Sequence, residues 1–195
     1  MINAEFSNAK TVKVFRKQIV EQQEAAHGLH YCQMHIAINR FWSAGCKKYM
    51  ELGVHQGGSA SNAMMLTPIP KKITLIDIDM SRYNSFLKPL AEKHCARLGI
   101  ELDVRETSSV GFGSIEQVDM LVIDSVHKAP WMQRELDLHG KNVSKYIVAH
   151  DTMRLFGKVD TQLHETLVAW GIQNGFSLVD RGTESVGYTV IKKDT

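Results

Sequence analysis

The 195-residue chain has only three cysteines, Cys32, Cys46 and Cys95, and no two of them form a C-x-x-C pair. An odd number without that spacing supports neither a disulfide framework nor a thiolate zinc site, and a reducing compartment is expected. An excess of one charge is missing too. The 23 Lys and Arg offset 21 Asp and Glu to a formal +2, and the basic residues are scattered along the chain. That leaves no electrostatic case for a nucleic-acid partner. No apolar run approaches the length of a bilayer span, and Met1 to Lys17 holds no apolar core of a signal peptide, so a cytoplasmic protein without a membrane partner is expected. No Pro/Gly/Ser-rich linker, repeat or low-complexity segment divides the sequence. We therefore expect one domain over 1–195, with a helical cap at 1–45 and an α/β core at 46–195.

What is present is a regular alternation of patterns. From Ala9 to Phe41, apolar residues such as Val12, Phe15, Ile19, Met34, Ile38 and Phe41 recur at helical spacing around a break near Gly28, which predicts two helices. After Gly45 come short apolar segments, Lys48–Val54, Ile73–Ile78, Leu102–Arg105, Met120–Ile123 and Tyr146–Ala149, which read as strands. Amphipathic stretches at Ser59–Leu66, Tyr83–Leu98, Trp131–His139 and Val159–Asn174 lie between or after them, long enough for crossovers between parallel strands. Phe176–Asp180 and Val186–Ile191 are joined by a turn at Gly182–Ser185 too short for a helix, so they should form an antiparallel hairpin. The sum is a Rossmann-like, doubly wound, seven-stranded sheet, mostly parallel, preceded by helices.

Ligands of such sheets bind beyond the carboxyl ends of the strands. The first of these places is Glu51-Leu52-Gly53-Val54-His55-Gln56-Gly57-Gly58-Ser59, where glycines let the backbone turn sharply into a helix start whose free N–H groups suit an anion. Its G-x-x-x-G-G spacing lacks the middle glycine that admits a dinucleotide's pyrophosphate, which argues against NAD. The second strand stops at Asp77-Ile78-Asp79, and a fixed carboxylate there can accept hydrogen bonds from both hydroxyls of a ribose. Asp77 is assigned that task, with Asp79 nearby or facing solvent.

Two further apolar strands end in acids, at Asp124 and Asp151. If they are neighbours, the two carboxylates lie within a few ångströms and repel unless a cation or proton intervenes. A divalent ion with oxygen ligands, Mg²⁺, is one resolution. His150 and Asp151 can ligate together only where the chain has begun to turn, and His127 is placed to act as a general base or metal neighbour. His27, His30, Cys32 and His35 form a second cluster, but their offsets do not put three of them on one helical face. Trp131, just past His127, is the tryptophan placed to flank a substrate.

Glu51–Ser59, Asp77–Asp79, Ile123–His127 and His150–Thr152 together resemble the class I S-adenosylmethionine-dependent methyltransferases. The likeness is to the small-molecule O-methyltransferase-like group that includes the cephalosporin hydroxylase relatives, and it covers about Lys48 to Lys192. It implies that Glu51, Gly53 and Gly57, with His55 and Ser59 of the same motif, lie along the methionine part of the cofactor. Asp77 would hold the ribose, and Ser108 or Ser109 would border the adenine. Asp124 and Asp151 would be the metal-site acids, where the family often has Glu-Asp in place of His150-Asp151. The implied reaction is methyl transfer to a small-molecule hydroxyl, with Asp124 at the cofactor and metal, and His127 or His150 taking the proton. The amino-terminal helices would cover the pocket or join two copies of the chain. Two other expectations stand beside this one: a non-catalytic binding protein on the same fold, and an Fe(II)-dependent oxygenase using His127, His150 and a carboxylate.

Overall fold

A computed structural model describes residues 8–155 and 158–194. The two predicted amino-terminal helices are α1 (Val12–His27) and α2 (Gln33–Trp42). Thr11 starts α1 by accepting the Val14 N–H on its side chain, and Gly28 ends it at φ 96°; a glycine tolerates that backbone without cost.

The core then alternates as expected. β1 (Lys48–Leu52) leads to α3 (Gly58–Ala63), β2 (Lys72–Asp77), α4 (Ser81–Phe86), α5 (Lys88–Leu98) and β3 (Glu101–Glu106). An irregular connection carries the chain back across the sheet to β4 (Val118–Ile123), followed by α6 (Ala129–His139) and β5 (Val143–His150). A two-stranded ribbon, β6 (Arg154–Leu155) with β7 (Lys158–Val159), precedes α7 (Gln162–Gln173) and the hairpin β8 (Phe176–Gly182) and β9 (Tyr188–Lys193).

The main sheet has seven strands in the order β3-β2-β1-β4-β5-β9-β8. β1 to β5 pair in parallel, and β9 joins β5 antiparallel. Two details differ from expectation. The stretch Tyr83–Leu98 is two helices meeting at Leu87, because Pro89 in the first turn of α5 has no N–H to continue α4. Val159, expected to open a helix, belongs to the ribbon.

The central strands β1, β2, β4 and β5 are buried on both faces, as parallel strands covered by helices must be. Met120, Val122, Tyr146 and Val148 pack with Phe15, Ile19, Ile38 and Tyr83 on one side. Leu121, Ile123, Ile147 and Ala149 pack with Met132, Leu136, Leu167 and Trp170 on the other. Each large side chain removed from water there contributes about 1.5–3 kcal/mol, which is what holds α1 and α2 against the sheet. Among the described residues, no helix is long and apolar enough to cross a membrane.

Candidate functional site

The strand order reverses between β1 and β4, and a cavity of about 480 Å³ opens there beyond the carboxyl ends of the strands. Gly53 forms its base. At φ 89°, a Cβ on Gly53 would stand 2.1 Å from the Asp124 carbonyl oxygen, so only glycine lets the ends of β1 and β4 approach this closely. Val54, His55, Gln56, Gly58 and Ser59 continue the wall.

Asp77 stands on the same rim. Its Oδ2 accepts the backbone N–H groups of Val54 at 2.7 Å and His55 at 2.8 Å, and its Oδ1 accepts that of Asp79 at 3.1 Å. The carboxylate thus braces the glycine loop as well as facing the cavity. Ser108, Ser109, Ser125 and Trp131 line the cavity, and Gln23, Tyr31, Cys32, Met34 and His35 bring the amino-terminal helices into its wall.

Three residues expected at the cofactor lie off the lining. Glu51 is fully buried beneath the loop, with Tyr49 Oη donating to its Oε2 at 2.8 Å and Ser59 Oγ to its Oε1. Burial pushes its carboxyl up to about 8, against the pull of those two donors. Gly57, left-handed at φ 89°, is turned toward Leu87, and Asp79 accepts the Ser81 N–H at 2.8 Å in the turn before α4. These three shape the loop from behind. His55 lines the cavity while its ring faces Arg82.

At the other end of the cavity, β4 and β5 are adjacent, with Ile123 opposite Ala149. Asp151 adopts φ 53°, which breaks the alternation of the strand and turns its side chain toward the same place as His150. His127 Nε2 lies 2.8 Å from Asp151 and 3.7 Å from Asp124. His150 Nδ1 lies 3.3 Å from Asp124, and its Nε2 lies 3.2 Å from the Tyr31 carbonyl.

The charge balance here differs from that expected. Hydrogen bonds to Asp124 and Asp151 raise His127 to about 10. Burial alone would keep His150 neutral, but the Asp124 charge outweighs it and raises His150 to about 9. Asp124, half-buried, is held well below the usual carboxylate range by the two imidazoles, against the cost of its desolvation. Each imidazole thus faces a carboxylate, which favours the charged form of the ring.

The metal assignment changes as well. His150 turns its Nε2 to the Tyr31 carbonyl and its Nδ1 toward Asp124 and Asp151, at 3.3 and 3.6 Å. Among the described residues, the group whose ligand atoms lie together, within 4.8 Å of one another, is Asp124, His127 and Asp151. That group contains one of the two histidines, His127, with His150 beside it.

The amino-terminal His/Cys cluster disperses. His27 stacks on Tyr31, His30 pairs with Glu184, Cys32 donates to Gln23, and His35 lines the cavity, where burial and then Arg16 lower its pKa to about 3.

No protein-family profile matches the sequence, and no curated protein matches it. Solved structures do match. NodS, an N-methyltransferase from Bradyrhizobium japonicum in complex with S-adenosylhomocysteine, is 16% identical over 92% of this chain and 99% of its own, with a TM-score of 0.57. An S-adenosylmethionine-dependent methyltransferase from Clostridium acetobutylicum is 8% identical, with the same coverages and a TM-score of 0.58. TrmK of M. capricolum, also with S-adenosylhomocysteine, is 12% identical over 85% of this chain and 67% of its own, at 0.54. The fold is that of the class I methyltransferases. Within that methyltransferase fold the glycine loop, the β2 acid and the β4 and β5 acids of this chain all open on one cavity.

Proposed function

We infer that the protein is an S-adenosylmethionine-dependent methyltransferase that methylates a hydroxyl of a small molecule. The observation that carries this is the convergence of Gly53, Asp77, Ser109 and the Asp124–His127–Asp151 cluster on one cavity of about 480 Å³, a size in the range of small-ligand sites. NodS and TrmK, which share the fold, hold S-adenosylhomocysteine.

The cofactor supplies a methyl group on a sulfonium, already electrophilic, so the protein's task is to position the acceptor and remove water. Gly53 brings the backbone close to that group, and Asp77 offers carboxylate oxygens to its ribose. A second cavity, of about 260 Å³, shares His127 and Asp151 with the first and is bounded by Lys128, Pro130, Gln162 and Leu163. An acceptor lodged there presents its hydroxyl at the common wall.

Two carboxylates and one imidazole suit a divalent first-row cation, and the spacing of Asp124, His127 and Asp151 fits one. Such an ion would lower the pKa of the acceptor hydroxyl. Asp124, His127 and Asp151 would hold the ion, His127 through a deprotonated ring nitrogen, with His150 against Asp124 beside them.

Calorimetric titration with S-adenosylmethionine, S-adenosylhomocysteine and NAD tests the assignment. Binding of both sulfur nucleosides without NAD is expected, and absence of binding at millimolar concentration ends it. Binding without methyl transfer to any hydroxyl acceptor would favour a non-catalytic protein on this fold.

A further inference from the structure

Glu135, on α6, is fully buried, and a single oxygen of its carboxyl group gathers three donors from the cavity wall. Its Oε1 accepts Ser109 Oγ–H at 2.5 Å, Ser125 Oγ–H at 2.5 Å and Trp131 Nε1–H at 3.2 Å. The indole N–H also approaches Ser109 Oγ at 3.2 Å. A serine hydroxyl has one proton, and here both protons are committed to Glu135. What Ser109 and Ser125 turn toward the cavity they line is therefore only lone pairs.

We propose that Glu135 is a positioning residue that fixes this wall as hydrogen-bond acceptors, so that the cavity selects a ligand edge carrying a donor, the exocyclic amino group of an adenine, over the 6-oxo edge of a hypoxanthine. The proposal presupposes that the cavity takes an adenosyl group. A 6-oxo group would bring oxygen lone pairs against oxygen lone pairs in a buried site, where an unmatched acceptor is costly. Glu135 is suited to this. Its other oxygen, Oε2, is buried without a partner, and burial raises the carboxyl's pKa against the pull of the three donors. The nearby His139 turns its Nε2 to the Ser109 carbonyl, 2.6 Å away, and not to the hydroxyl.

The test compares S-adenosylhomocysteine with S-inosylhomocysteine by calorimetry on the full chain. Wild type should prefer the adenosyl compound by about tenfold or more. Glu135→Gln keeps an acceptor for both hydroxyls and should keep most of that ratio. Glu135→Leu frees the hydroxyls to turn their protons inward, and the ratio should fall toward one, chiefly through stronger binding of the inosyl compound. If Glu135→Leu does not fold, the double variant Ser109→Ala with Ser125→Ala should abolish the ratio by removing the acceptors.

A ratio that survives loss of Glu135 or of both serines overturns the proposal, as does a wild type that binds the two compounds equally. The latter leaves the adenosyl-binding assignment standing. A wild type that binds neither removes both.

Discussion

The carboxylate of Asp77 lies 2.7 Å from the backbone nitrogen of Val54, so the acid at the tip of β2 holds the glycine loop that follows β1. Loop and acid are one unit: the carboxylate that faces the cavity also fixes the backbone of the loop that lines it.

Asp77→Ala should therefore weaken S-adenosylhomocysteine binding by on the order of 1.5–3 kcal/mol and lower stability by about 1–2 kcal/mol, since Val54 and His55 lose their acceptor. Asp77→Asn, which keeps one acceptor oxygen, should fall between. Calorimetry and thermal unfolding check the two effects separately, and unchanged affinity would leave Asp77 a purely structural brace.

Gly53→Ala places a methyl group 2.1 Å from the Asp124 carbonyl at a φ that L-residues disfavour. The ends of β1 and β4 must then part. A stability loss of roughly 3 kcal/mol and loss of cofactor binding are expected, to be read by denaturant unfolding and calorimetry. Wild-type affinity in this variant would show that the approach of the two strands does not shape the pocket.

Glu51 has its carboxyl raised from 4.5 to about 8. The folded state holds that proton more tightly than the unfolded chain, so its contribution is complete below the unfolded pKa and is lost as the pH climbs toward 8. Glu51→Gln, neutral at every pH, should flatten the decline and leave the variant more stable than wild type at pH 9, by about 2–4 kcal/mol. Urea midpoints across that range decide it, and parallel curves would place the ionised carboxylate comfortably inside.

His127 is raised to about 10 by Asp124 and Asp151, so at pH 7.5 it carries a proton that a metal ion must displace. Mn²⁺ or Mg²⁺ binding should release close to one proton per ion, measured from titrations in buffers of different ionisation enthalpy. Asp151→Asn should abolish the uptake. Metal bound without proton release, or bound equally by His127→Gln, would exclude His127 as a ligand.

Much of the scaffold was legible. The central strands could be located because burial on both faces leaves largely apolar runs such as Leu75–Ile76 and Leu121–Ile123, and the hairpin followed from a turn with no room for a helix. The site was legible only in part. Gly53, Asp77, Asp124 and Asp151 announce themselves as polar or flexible residues at strand ends. Glu135 gave no such sign: it sits on α6 four residues after Trp131, next to the apolar Leu136, and reads as an ordinary helical glutamate. A charge on the buried side of an amphipathic helix was the one available clue.

The sequence by itself determined the alternation of strands and helices and which residues end each strand, since those depend on local periodicity and on glycine's freedom at a sharp turn. Only the tertiary structure decided which strand ends meet and which side chains they share. The placement of β4 between β1 and β5 put Asp124 against Gly53 and brought His127 to Asp151. The packing of α2 against β5 brought Tyr31 from the amino-terminal region to His150. Hydrogen bonds between residues distant in the chain settle what each histidine faces, and no local pattern encodes them.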